Sequence, residues 1–134
     1  MDTPYERPAK LVLLVDDEPQ IRSLLKNCFR SAGFGVIEAE CGLKALAIVE
    51  QNGIGIVDVL VTDIEMPRMD GITLAALCKR SFPNMRVVIM SACSDKVIPA
   101  MGRAVDAFVQ KPFSPKALVT TVVEVLQRSG SSGS

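Results

Sequence analysis

The sequence predicts an α/β fold, a parallel five-stranded sheet with helices on both faces. Five short apolar runs alternate along the chain with five predicted helices, and in four of these helices the apolar residues recur at helical spacing. The apolar runs are rich in valine, isoleucine and leucine and lack polar alternation, which is typical of parallel strands buried on both faces. Because this alternation occupies nearly all of the 134 residues, we expect a single domain.

The predicted domain covers residues 10–128. Residues 1–9 hold two prolines and several polar residues, as a leader or linker does. Residues 129–134 are only serine and glycine, which is typical of a flexible tail, either a linker or an expression scar. The five predicted strands are Lys10–Val15, Phe34–Glu38, Val57–Asp63, Arg86–Met90 and Ala107–Val109.

Capping residues locate the helices between these strands. Pro19 fits the first turn of the first helix because proline has no N–H to lose there, and Gly33 suits the position just beyond its last turn. The second helix is expected to end near Gly53. Asp70 and Ser114 are candidate N-caps of the third helix and of the last helix.

Composition and charge exclude several classes of function. The 15 basic and 15 acidic residues cancel, which argues against a broad nucleic-acid or membrane footprint. No apolar run approaches the length of a membrane span and the N-terminus lacks a signal-peptide core, so we expect a cytoplasmic protein without membrane insertion. The absence of histidine excludes Ser-His and Cys-His catalysis within the chain. The four cysteines are scattered without a C-x-x-C pair, which is typical of reduced thiols rather than of a zinc site.

The residues suited to chemistry stand where the predicted strands end. Asp16 and Asp17 follow the first strand, Asp63 ends the third, Ser91 follows the fourth, and Lys111 comes shortly after the fifth. The carboxyl ends of parallel strands share one edge of the sheet, where open α/β folds place their ligands. Each residue alone has an ordinary explanation as a helix-start acid, a turn residue or a solvated charge. Their joint placement at one edge instead favours a site.

The predicted cluster suits phosphoryl transfer assisted by a divalent cation. Three carboxylates at short range repel one another, and a cation relieves that repulsion. Hard oxygen ligands favour Mg²⁺ or Mn²⁺, with phosphate oxygens completing the coordination. Lys111 offers a compact positive charge and Ser91 a hydroxyl to phosphoryl oxygens. Asp63 is then the candidate nucleophile, because carboxylates form aspartyl phosphates.

Four motifs together resemble the receiver domain of two-component response regulators over roughly residues 10–128. The motifs are Val15-Asp16-Asp17-Glu18-Pro19, Asp63-Ile64-Glu65-Met66-Pro67 with Met69-Asp70-Gly71, Ser91-Ala92, and Lys111-Pro112-Phe113. The resemblance implies a flavodoxin-like fold with strand order 2-1-3-4-5, an order already known for such domains. It also implies that the bond between Lys111 and Pro112 is cis.

By the same resemblance, Asp63 would accept a phosphoryl group from a phosphohistidine on a sensor histidine kinase or a phosphotransfer domain. Asp17 and Asp63 would bind Mg²⁺ directly, and Asp16 would bind it through water. The main-chain carbonyl of Glu65 would complete the protein ligands.

Ser91 and Lys111 would hold the phosphoryl group in such a domain. Phe108, three residues before Lys111, matches the aromatic switch position and would turn inward when Ser91 moves toward the phosphate. Because phenylalanine lacks the tyrosine hydroxyl, this switch would work by packing alone. Glu65 and Cys93 stand at positions that flank the incoming water or donor, so they bear on the lifetime of the phosphoryl group.

The fourth predicted helix departs from the pattern of the family. It falls within Asp95–Arg103, is short and poorly patterned, and contains Pro99. The family often uses the face beside this helix for partners, so an irregular helix would change that surface.

The leading interpretation is a phosphorylatable signalling module, not a turnover enzyme. It would be either a stand-alone regulator or a receiver cut from a hybrid histidine kinase or from a longer regulator with an output domain. A rival is a Mg²⁺-dependent aspartyl-phosphate phosphohydrolase, but that class carries D-x-D after its first strand, whereas Asp63-Ile64-Glu65 follows the third. A third interpretation is a receiver-like module that binds partners without phosphorylation, against which the complete acid set and Lys111 argue.

Overall fold

The computed structural model describes residues 9–51 and 56–128, whose strands form one parallel sheet. The predicted tail, residues 129–134, and most of the predicted leader lie outside these ranges. The strands are β1 (Leu11–Val15), β2 (Gly35–Ala39), β3 (Val59–Asp63), β4 (Arg86–Ser91) and β5 (Ala107–Gln110). Their order is β2-β1-β3-β4-β5, which confirms the order implied by the resemblance. All neighbours pair in parallel, so the carboxyl ends of the five strands lie at one edge.

Four α-helices in the described residues cover the sheet: α1 (Pro19–Ser31), α2 (Gly42–Gln51), α3 (Gly71–Ser81) and α4 (Pro115–Gln127). Successive strand residues point to opposite faces. Leu13 and Leu60 therefore pack with residues of α2 and α3, while Leu14 and Val61 pack against neighbours in α1 and α4. None of the helices in the described ranges combines the length and the apolar character needed to cross a membrane.

The helix boundaries marked by capping residues are confirmed. α1 begins at Pro19, and Gly33 follows its end with a positive φ of 98°, a left-handed conformation that glycine adopts without strain. The side chains of Asp70 and Ser114 accept backbone N–H bonds of 2.7 Å and 3.1 Å in the first turns of α3 and α4. Gly53, the predicted end of the second helix, lies outside the described residues.

The prediction of a helix between β4 and β5 is wrong. The described chain forms two 3-10 turns there, Ser94–Lys96 and Ile98–Ala100, and the helix count is four rather than five. Pro99 has no N–H to donate along a helix. Val97 is fully buried whereas Ile98 is 62% exposed, so the segment lacks the continuous apolar stripe that stabilises a surface helix. The predicted irregularity of this region is confirmed.

Candidate functional site

Three carboxylates converge at the carboxyl edge of the sheet, as the strand ends predicted. Asp16 and Asp17 follow β1, and Asp63 is the last residue of the neighbouring strand β3. Each of the three offers an oxygen that lies within 4.8 Å of the oxygens offered by the other two. Asp16 and Asp63 are buried and Asp17 is exposed, so the cluster opens to solvent on one side.

Lys111 joins this cluster through a direct contact with Asp63. Its Nζ lies 3.0 Å from Asp63 Oδ2, and its backbone N–H donates to the Ser91 carbonyl at 2.8 Å. Partial burial lowers the pKa of the Lys111 ammonium, but the hydrogen bond and charge of Asp63, with the charges of Asp16 and Glu18, outweigh it and leave the pKa raised. Lys111 therefore remains a cation beside the acids. The bond between Lys111 and Pro112 is cis, as the resemblance implied.

The Asp16 carboxylate is the most constrained acid of the cluster. Its Oδ1 accepts the backbone N–H of Glu18 at 2.9 Å, while its buried Oδ2 has no hydrogen-bond partner among residues 9–51 and 56–128. Burial raises the pKa of Asp16, the Glu18 hydrogen bond partly offsets that increase, and the neighbouring charge of Asp63 adds to it. An unpartnered buried oxygen among three acids fits a hard divalent cation such as Mg²⁺, which takes oxygen ligands.

Ser91 stands at the end of β4, fully buried, with its hydroxyl turned to its own loop. Its Oγ donates to the Cys93 carbonyl at 3.1 Å and accepts the Cys93 N–H at 3.0 Å. The structure thus places Ser91 at the predicted edge, with its hydrogen bonds made to Cys93.

Glu65 lies beside the acceptor, on the loop between β3 and α3. Its backbone N–H donates to Asp63 Oδ1 at 3.3 Å. Its exposed carboxylate lies 3.7 Å from the ammonium of Lys96, in the first 3-10 turn. Sequence reasoning could not predict this ion pair, because the two residues are far apart in the chain. The ligand role of the Glu65 carbonyl stays a prediction.

Gly71, the first residue of α3, allows this loop to close on the acceptor strand. Its backbone N–H donates to the Ile64 carbonyl at 2.9 Å. A Cβ built at Gly71 would collide with the Asp63 carbonyl oxygen. The missing side chain therefore lets α3 begin directly against the residue that carries the central carboxylate.

Phe108 lies on β5 next to the strand that carries Ser91. It is half-buried, packs against the core beneath α2 and α3, and pairs in register with Ile89. Because Ile89 precedes Ser91 by two residues, the side chains of Ser91 and Phe108 belong to the same face of the sheet. The switch role of Phe108 stays a prediction.

Comparison with known proteins relates the chain to one family. The chain matches the family model described as the response regulator receiver domain over residues 12–123. The sensor kinase CckA of Brucella abortus (strain 2308) is 39% identical over 120 residues, which are 87% of this chain and 12% of the kinase. The transcriptional regulatory protein CpxR of Escherichia coli (strain K12) is 34% identical over 121 residues, which are 88% of this chain and 50% of the regulator.

A solved structure adds a comparison of the fold. The response regulator TrrA of Thermotoga maritima, determined in complex with Mg²⁺ and BeF, superposes with a TM-score of 0.76 at 31% identity, covering 87% of this chain and 98% of TrrA. The chain belongs to the response regulator receiver domain family. It spans no more than half the length of either curated relative named above.

Proposed function

We propose that this domain accepts a phosphoryl group on Asp63 from the phosphohistidine of a sensor histidine kinase or of a phosphotransfer domain. The grouping of three carboxylates with Lys111 at one edge of the sheet carries the proposal. Membership of the receiver family favours this function over that of an aspartyl-phosphate phosphohydrolase. We further propose that the domain is a signalling module whose phosphorylated state controls a partner or an output domain, rather than a turnover enzyme.

In the proposed reaction, a carboxylate oxygen of Asp63 forms a bond to phosphorus as the P–N bond of the donor breaks. The electron pair of that bond goes to the imidazole nitrogen of the donor. Lys111, already 3.0 Å from Asp63, would hold a phosphoryl oxygen and offset the charge that develops on it. The chain supplies no histidine, so the phosphohistidine belongs to the partner.

Asp16, Asp17, Asp63 and the main-chain carbonyl of Glu65 would hold Mg²⁺ or Mn²⁺. When bound, the cation supplies charge neutralisation for the acids and for the phosphoryl oxygens. The unpartnered Oδ2 of Asp16 and the mutual approach of the three carboxylates support this assignment. The complex of TrrA with Mg²⁺ and BeF shows that a related receiver is found with such a cation.

Ser91 would bind the phosphoryl group only after exchanging hydrogen bonds. Its hydroxyl now donates to the Cys93 carbonyl, so donation to a phosphoryl oxygen requires that bond to break. A shift of Ser91 would change the packing on the sheet face that it shares with Phe108. We propose that this coupling converts a local change of charge into a change of the β4–β5 surface.

Intact-mass spectrometry tests the proposal most directly. The protein is incubated with acetyl phosphate, with and without Mg²⁺, as wild type, Asp63→Asn and the control Asp70→Asn. Asparagine also caps helices well, so the control removes a nearby acid while keeping α3. We expect one Mg²⁺-dependent phosphoryl group on the wild type and on the control, and none on Asp63→Asn.

Other outcomes identify the rival functions. Continuous release of phosphate from small phosphate esters would favour a phosphohydrolase. No adduct on the wild type, together with no binding of beryllofluoride in the presence of Mg²⁺, would favour a module that binds partners without phosphorylation.

A further inference from the structure

We propose that Arg22 is a positioning residue of the acidic site, holding the main-chain carbonyl of Asp16 so that the Asp16 carboxylate stays directed at the cation. The inference rests on the proposed cation binding. Arg22 lies in the first turns of α1 with its side chain only 17% exposed. Its Nη1 donates to the Asp16 carbonyl oxygen at 2.8 Å. The contact is with the backbone of Asp16, not with its carboxylate.

The other hydrogen bonds of Asp16 hold its backbone less tightly than the contact with Arg22 does. The Asp16 N–H reaches the Ala39 carbonyl at 3.3 Å, which is a long bond. The carboxylate has one local partner, the Glu18 N–H, and one free buried oxygen. Among the described residues, the bond from Arg22 is therefore the shortest hydrogen bond to the backbone of this acid. Groups that orient metal ligands from behind strongly affect metal affinity.

Glu38 on β2 anchors the guanidinium in turn. Arg22 Nε lies 3.4 Å from Glu38 Oε1, and Lys26 Nζ, one turn later on α1, lies 3.0 Å from Glu38 Oε2. The strand neighbour of β1 thus holds Arg22 in place, and Arg22 holds the residue that follows β1. Lys26 shares the anchor but makes no contact with Asp16 among the described residues, so it provides a matched control.

The direction in which the Mg²⁺ affinity changes distinguishes a positioning role of Arg22 from a purely electrostatic effect. Arg22 and Lys26 are both cations close to an acidic cluster. If only charge mattered, removal of either cation would strengthen Mg²⁺ binding, because less positive charge would oppose the ion. A positioning role predicts the opposite for Arg22 alone, because the Asp16 peptide loses its hydrogen bond.

The experiment compares the wild type with Arg22→Met and Lys26→Met by NMR. The Asp17 amide nitrogen belongs to the same peptide group as the Asp16 carbonyl, so its ¹⁵N shift without metal reports the hydrogen bond from Arg22. Titration with MgCl₂ then gives the affinity. We expect Arg22→Met to move the Asp17 shift and to weaken Mg²⁺ binding about tenfold, and Lys26→Met to leave both near the wild-type values.

Each alternative result has a separate meaning. Equal or tighter Mg²⁺ binding by Arg22→Met, or an unchanged Asp17 shift, overturns the role of Arg22 while the proposed function stands. Weakening of the same size in Lys26→Met also overturns it, because the effect then comes from the surface network. A wild type that does not bind Mg²⁺ overturns the proposed function and this inference with it.

Discussion

Aspartates stand at strand ends on both edges of the sheet, but the partners of their carboxylates differ. At the amino edge, Asp106 precedes β5 and is fully matched: it accepts the Val87 N–H at 2.8 Å and pairs with Lys79 at 2.9 Å and Arg86 at 3.6 Å. At the carboxyl edge, three carboxylates cluster around one lysine among the described residues. At the amino edge, Asp106 has enough hydrogen-bond donors and cations to match its carboxylate. At the carboxyl edge, the carboxylates outnumber the cations that contact them.

This difference distinguishes a cluster that stabilises the fold from a candidate site for a cation. Partly buried acids that are matched by cations and backbone donors stabilise a fold, since removing one partner leaves the others unsatisfied. Acids in surplus repel one another and leave affinity for a cation from outside. Among the described residues, each edge has one buried side-chain N or O atom without a hydrogen bond, Asp16 Oδ2 and Arg86 Nε. The Arg86 guanidinium nevertheless has a counter-charge in Asp106, whereas Asp16 faces other acids.

The largest effect on stability is expected at the amino edge. Asp106→Ala would leave Lys79, Arg86 and the Val87 N–H without their shared acceptor. Because these side chains are only about one-fifth exposed, we expect the free energy of unfolding to fall by about 2–3 kcal/mol. Urea unfolding followed by circular dichroism measures this change.

Asp106→Asn is the matched control, because its amide oxygen can still accept the Val87 N–H while the charge is lost. We expect an intermediate loss of stability. Mg²⁺ affinity should be unchanged in both variants, since the site lies at the opposite edge. Ordinary surface substitutions change the free energy of unfolding by less than about 0.5 kcal/mol. A decrease within that range for Asp106→Ala would contradict the view that the contacts of Asp106 stabilise the fold.

At the carboxyl edge, in contrast, removal of an acid is expected to raise the free energy of unfolding. Asp16→Asn removes a buried charge that is close to Asp63, so we expect the metal-free protein to gain about 1 kcal/mol in the free energy of unfolding. The same change should remove most of the extra stability that Mg²⁺ gives to the wild type. Urea unfolding with EDTA and with MgCl₂ measures both effects, and a loss of metal-free stability would contradict the interpretation.

The dependence on pH sharpens this prediction. The pKa of Asp16 in the folded protein is raised above its usual value of 3.8, chiefly by burial. The ionised group therefore destabilises the fold above that raised pKa, and protonation removes the penalty as the pH falls through it. Since asparagine is neutral at every pH, the stability advantage of Asp16→Asn without metal should be largest near pH 7 and shrink toward pH 4. An advantage that is constant over this range would show that charge is not its cause.

Most of the fold could be predicted because local signals agreed with it. The apolar runs, Pro19 at the start of α1 and the caps Asp70 and Ser114 all indicate elements that the structure contains. The β4–β5 segment could not be predicted in the same way. Whether Ile98 or Val97 is buried depends on how the chain packs against the sheet, and Pro99 limits a helix without specifying the turns that replace it.

The site was predictable where a residue followed a strand, since a parallel sheet brings all strand ends to one edge. This logic identified Asp16, Asp17, Asp63, Ser91 and Lys111. It could not identify the residues that hold the site from other elements. Arg22 has an ordinary helical position in the sequence, and its contact with the Asp16 carbonyl depends on how α1 lies relative to the end of β1. Likewise, the collision that a side chain at residue 71 would cause is visible only in three dimensions.

The smallest predicted effect concerns backbone strain at the carboxyl edge. Arg68, in the loop between β3 and α3, has a φ of 72°, a left-handed conformation that disfavours residues with a Cβ. Its exposed side chain makes no hydrogen bond or ion pair within the described part of the chain, so no polar contact of this side chain offsets the conformation. Arg68→Gly relieves this strain, but glycine also gives the unfolded chain more conformational freedom, which offsets part of the gain. We expect a net increase in the free energy of unfolding of about 0.5–1 kcal/mol.

Arg68→Ala separates strain from charge in this prediction, because it removes the same side chain and keeps the Cβ. We expect no gain of stability from Arg68→Ala, and similar Mg²⁺ affinities for the alanine and glycine variants, since both lose the same positive charge beside the acids. Urea unfolding of the two variants in parallel measures the difference. If alanine stabilised the protein as much as glycine, the gain would come from loss of the arginine side chain and not from relief of backbone strain. The carboxyl edge would then be distinguished from the amino edge by its surplus of acid alone, without any contribution from the backbone of its loop.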